Sequence, residues 1–168
     1  MADFLTISRG IIGLVVLSLS FSGPGAYLTV VILALSGIAT DILDGKAARH
    51  YLGENREGRM GKHDIEVDTF FVLCILGYLT FSGIITERAL GLGWIGLVVI
   101  SALLSRKNLK VLVASEVITV ITLLLVALFY DSGVFWMLIA PAGAAGLFIN
   151  RRRVLYLIFD YWPSLFSR

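Results

Sequence analysis

Residues 41–68 read DILDGKAARHYLGENREGRMGKHDIEVD and hold 12 of the 26 acidic and basic residues of the chain. The segments flanking this polar stretch, 24–43 and 65–83, are apolar runs close to the roughly 17–25 residues that cross a hydrocarbon core about 30 Å thick. Working outward, the same pattern recurs at 4–21, 89–105, 109–130 and 133–149. Amides inside a bilayer have no water to bond, and long runs without alternation favour helices over barrel strands. The whole chain of 168 residues is 58% hydrophobic and only 15% charged, where soluble domains carry about 25% charge. These runs predict an all-α integral membrane protein with six transmembrane helices, residues 1–168 forming a single domain.

The basic residues orient that arrangement. With the N-terminus in the cytoplasm, Arg9, the 44–64 loop, Arg106, Lys107, Lys110, Arg151, Arg152, Arg153 and Arg168 lie inside and only Arg88 lies outside. Such segregation follows the excess of Lys and Arg found in cytoplasmic loops. It puts both termini in the cytoplasm of a multi-pass inner-membrane protein. No basic region precedes the first apolar run, and Arg9 interrupts it, so that run is expected to stay in the protein. The lone Cys74 can form no internal disulfide, and no motif points to nucleic acid.

Within 41–68 the acids are paired by helix geometry. Asp41 and Asp44 are three apart and Asp64 and Asp68 four apart, so each pair shares one helix face. Gly45 and Ala48 fall in the same arc as the first pair, giving that face small side chains. Like charges about 4 Å apart repel by roughly 4 kcal/mol at an effective dielectric of 20, so clustered carboxylates require cations or protons. An all-oxygen set suits a hard divalent ion, Mg²⁺, Mn²⁺ or Ca²⁺, and the lack of Cys or paired His ligands argues against zinc. The alternative is a set of helix-end charges paired with Arg49, Arg56, Arg59 and Lys62. Matched pairs on consecutive helices favour a functional role.

Asp41-x-x-Asp44-Gly45-x-x-Ala48-Arg49, followed by Asp64-x-x-x-Asp68, resembles the signature of the CDP-alcohol phosphotransferases, membrane enzymes of phospholipid synthesis. Thr6-x-x-Arg9 is similar to the family's N-x-x-T-x-x-R element, with Asp3 in place of asparagine. Met60 stands where the family has glycine, and Gly61 follows it. The resemblance implies transfer of a phosphatidyl-type group from CDP-diacylglycerol or CDP-archaeol to an alcohol, releasing CMP. It also implies one or two divalent ions on Asp41, Asp44 and Asp64, with Asp68 contributing to the metals or acting as catalytic base. Thr6, Arg9, Asp41, Gly45, Ala48 and Arg49 would meet the CDP moiety at the cytoplasmic side of the membrane.

Arg106, Lys107, Lys110, Arg151 and Arg152 suit either membrane anchoring or a phosphorylated acceptor, glycerol 3-phosphate first and an inositol phosphate second. Glu116, inside the fifth run, fits either the acceptor pocket or a structural pairing with a base such as Arg9. Glycines at 91, 93, 96, 143 and 146 suit close helix packing and the homodimer common in the family. Segment 154–168, aromatic behind three arginines, reads as a short interfacial helix. An ion or proton transporter and a catalytically silent scaffold are the readings of other classes.

Overall fold

The computed structural model describes residues 2–52, 64–104 and 109–149. Its elements are helices: α1 (Ala2–Ser18), a 3-10 segment (Leu19–Ala26), α2 (Tyr27–Leu52), α3 (Asp64–Phe81), α4 (Arg88–Leu104), α5 (Leu109–Tyr130) and α6 (Ser132–Ile149). By its contacts the chain divides into two units, Met1–Val126 and Ala127–Arg168.

In the first unit α1 is the central element and packs along both α2 and α3. Its contacts with α3 advance in step: Arg9 meets Asp68, Gly13 meets Phe71 and Cys74, and Leu17 meets Gly77. These two helices are therefore parallel. Tyr78 donates its hydroxyl to the Gly23 carbonyl at 3.1 Å, ahead of α2, while Phe71 sits against Gly37 farther along α2. α2 and α3 are therefore antiparallel. The reversal between α1 and α2 turns at Gly23, whose φ of +70° suits a residue without a Cβ.

The core is apolar and tightly sealed, with Val16, Leu76 and Tyr78 at most 2% exposed. Threonines inside it satisfy their own hydroxyls, Thr80 on the Leu76 carbonyl at 2.8 Å and Thr119 on the Ser115 carbonyl at 2.7 Å. Such local bonds let a polar side chain sit in an apolar helix without an orphaned donor. Thr119 also accepts the indole N–H of Trp94 at 3.2 Å, tying α5 to α4.

In the second unit Asp131 caps α6 by accepting the Val134 amide at 3.0 Å. The helix then widens into a π turn over Phe135–Ile139 before continuing through Ala140–Ile149. Pro141 explains the position of this widening. It has no N–H to donate, and its ring crowds the carbonyl four residues back, at Met137.

Six membrane crossings are not supported. Among the described residues two stretches meet the length and apolarity of a bilayer crossing, Thr6–Thr40, which reverses at Gly23, and Ser132–Ile149. Arg88–Leu103 and Ala114–Tyr130 are apolar but shorter. α3 opens on Asp64, Glu66 and Asp68, so its uninterrupted apolar length is only Thr69–Phe81, short of the roughly 20 residues a crossing requires. Placement of both termini in the cytoplasm was counted on six crossings and falls with that number. The expected interfacial helix at 154–168 lies outside the described residues.

Candidate active site

Phe71 organises the acidic helices. Its ring, 5% exposed, is seated between two glycines. A Cβ on Gly13 would lie 3.4 Å from its Cδ2, and one on Gly37 would lie 2.5 Å from its Cζ. Neither α1 nor α2 has a side chain at the point where the ring enters. Arg9 precedes Gly13 by four residues, Asp41 follows Gly37 by four, and Asp68 precedes Phe71 by three. Each of these offsets is about one helical turn. With α1 and α3 parallel and α2 antiparallel, all three turns lie on the same side of the ring. Arg9, the turn carrying Asp41, and Asp68 therefore occupy one level of the bundle.

At that level the Arg9 guanidinium donates from Nη1 to Oδ1 of Asp68, an ion pair joining α1 to α3. Arg9 is 2% exposed and Thr6, one turn before it, 1%. The Asp68 side chain remains 33% exposed. Burying a guanidinium costs several kcal/mol unless a carboxylate and good geometry compensate. The inward turn of α1 is therefore held by charge, while Asp68 keeps an edge toward solvent.

α2 continues as unbroken helix to Leu52. Asp41, Asp44, Gly45 and Ala48 thus keep the spacing that sets them along one face, with Arg49 next in sequence. Asp64 and Asp68 occupy the opening turns of α3. The side chains of Asp41, Asp44, Ala48, Arg49, Asp64 and Lys110 lie outside the described residues, as do Arg106, Lys107, Arg151 and Arg152. Among the described residues no group of three or more His, Cys, Asp or Glu side chains is assembled. The acidic residues whose backbone positions fall at this end of the bundle come from two helices. Such a set fits a hard divalent ion.

Glu116 is half-buried on α5, one turn before the buried Thr119. The small residues behave differently from one another. Gly91 lies directly against Thr80, whereas a Cβ on Gly93, Gly96 or Gly143 would meet nothing within 4 Å. Sequence reasoning missed Gly37 and Phe71. Their signal was their position, one turn inside the first and last aspartates of the polar stretch.

The profile of the CDP-alcohol phosphatidyltransferase family matches residues 1–149. The chain belongs to that family. No curated protein and no solved structure matches it. Membership makes the chain a CDP-alcohol phosphotransferase-type enzyme of lipid biosynthesis, working on a CDP-linked donor and a polar acceptor. Enzymes of the CDP-alcohol phosphatidyltransferase family generally use a divalent metal ion, and the carboxylates of α2 and α3 are the residues here whose chemistry fits one.

Proposed function

We propose that the chain transfers a phosphatidyl-type group from CDP-diacylglycerol, or its archaeal ether counterpart, to glycerol 3-phosphate, with release of CMP. The observation that carries this reading is the Phe71 wedge, which brings the Arg9–Asp68 pair and the Asp41 turn to one level. Asp41, Asp44 and Asp64 would hold Mg²⁺ or Mn²⁺, and Gly45 and Ala48 give the CDP moiety room to lie against α2. Arg49 suits a diphosphate oxygen because its planar fork can bind two oxygens at once.

The bound metal would neutralise the charge that develops on the diphosphate and on departing CMP. Asp68, part-exposed at the end of α3, takes the proton of the acceptor hydroxyl as that oxygen attacks phosphorus. A new bond forms between the acceptor oxygen and the donor's lipid-bearing phosphorus. The bond from that phosphorus to the bridging oxygen breaks, and its electron pair leaves with CMP. Thr6 and Arg9 are buried beneath this surface and support it from within. The lipid end of the donor would remain among the exposed apolar side chains of the Thr6–Thr40 stretch, with the site at the cytoplasmic edge, where soluble nucleotide and acceptor arrive.

The preference for glycerol 3-phosphate rests on the basic residues at Arg106, Lys107, Lys110, Arg151 and Arg152, which suit a phosphorylated acceptor. An inositol phosphate is the second choice on the same ground. The test is CMP release by the purified protein with CDP-diacylglycerol, Mg²⁺ and a panel of acceptors. Release is expected only when acceptor and divalent ion are both present, fastest with glycerol 3-phosphate, and lost on chelation by EDTA. Release that persists without a divalent ion, or without any acceptor, would overturn the proposal.

A further inference from the structure

Arg9 is a cation that the bundle itself supplies to its acidic end. It lies on α1, the helix packed against both acid-bearing helices, and it is sealed from solvent while its partner Asp68 is not. A guanidinium so enclosed is badly placed to grip a soluble nucleotide, but well placed to fix the carboxylate it touches. We infer that Arg9 is a positioning residue that acts on the reaction through Asp68, and that it does not contact the CDP donor. This rests on the reading of Asp68 as the base.

The physical basis is orientation. A carboxylate at the end of a helix can turn about its side-chain bonds, whereas one held by a buried guanidinium presents a fixed edge to an incoming hydroxyl. Misplacing a reacting group by about 1 Å can cost about a hundredfold in rate. Arg9 and Asp68 are 59 residues apart in sequence and on different helices. The orientation therefore depends on the α1–α3 contact that Phe71, Gly13 and Gly77 maintain.

The experiment compares wild type with Arg9→Gln, Arg9→Lys, Asp68→Asn and the Arg9→Gln/Asp68→Asn double variant. The readouts are kcat and KM for the donor, CDP binding by calorimetry, and thermal unfolding. Arg9→Gln is expected to lower kcat by about a hundredfold, leaving CDP affinity and the donor KM unchanged. Arg9→Lys keeps the charge without the planar fork and is expected to recover part of kcat. The double variant is expected to turn over no more slowly than Asp68→Asn alone, because the inference routes the effect of Arg9 through Asp68.

A rise in donor KM and weaker CDP binding with kcat preserved would show that Arg9 grips the donor, and would overturn the inference. Losses that multiply in the double variant would also overturn it. If Arg9→Gln fails to fold, Arg9→Lys carries the same comparison, and an unaltered kcat in folded Arg9→Lys together with weakened CDP binding overturns the inference equally. Full activity in Asp68→Asn removes the base itself and thus fails at the earlier step.

Discussion

Asp68 has two tasks in this account: it meets the acceptor hydroxyl, and it balances the buried charge of Arg9. The exchange Asp68→Asn removes both the proton acceptor and a counter-charge, putting an amide oxygen where the enclosed guanidinium had a carboxylate. Turnover is expected to fall by about a hundredfold or more. The unfolding midpoint should fall as well, since breaking a buried pair by removing one member costs about 3–5 kcal/mol, discounted here because Asp68 is one-third exposed. Activity assays and a thermal melt on the same sample check both, and an unchanged melt would mean that Arg9 is compensated elsewhere. At this scale the sequence singles out candidates. Asp41, Asp44, Asp64, Asp68 and Arg9 stand out by spacing and by charge within or beside apolar runs. Their partnerships were not legible: Glu116 was as good a candidate for Arg9 as any acid, and only the packing of α1 on α3 pairs it with Asp68.

Among the helices, the contacts that set register are glycines facing large or branched side chains. Gly37→Ala would drive a methyl into the buried Phe71 ring, three of whose carbons lie within 3.1 Å of that position. The expected cost is about 1–3 kcal/mol from overpacking, partly offset by up to about 1 kcal/mol of better helix propensity. Activity should fall with it, since Phe71 sets the level of Asp41 and Asp68. Gly91→Ala should be destabilising in the same way, because Thr80 fills the space. Gly93→Ala, on the same helix but facing open space, is expected to be neutral or stabilising. Thermal midpoints of the three variants check this order, and equal effects at Gly91 and Gly93 would contradict it. The positions of the helices themselves follow closely from the apolar runs and the glycine and proline breaks between them. Two irregularities were not foreseen, the 3-10 segment at Leu19–Ala26 and the π turn at Phe135–Ile139. Both depend on where one proline meets a backbone carbonyl or a glycine adopts positive φ, which a hydropathy pattern averages away.

For the molecule as a whole, hydropathy overstated the number of crossings, in α3 because it cannot tell lipid from protein as the apolar surroundings of a helix, and in α4 and α5 because their apolar stretches are shorter. α3 shows the reason: Phe71, Leu76, Tyr78 and Leu79 are buried by neighbouring helices, so its apolar character serves the core. Thr6–Thr40 and Ser132–Ile149 differ, with Leu14, Phe21, Met137 and Phe148 more than half exposed. Such surface requires an apolar partner. The chain is expected in the membrane fraction and to resist alkaline carbonate extraction; recovery in the soluble fraction would contradict this. The central claim, that the acids of α2 and α3 form one metal-dependent transfer site, is tested most directly by acceptor-dependent CMP release from Asp44→Asn and Asp68→Asn beside wild type. Each variant is expected to lose at least about 99% of the rate while remaining folded. Wild-type rates in both variants would contradict it.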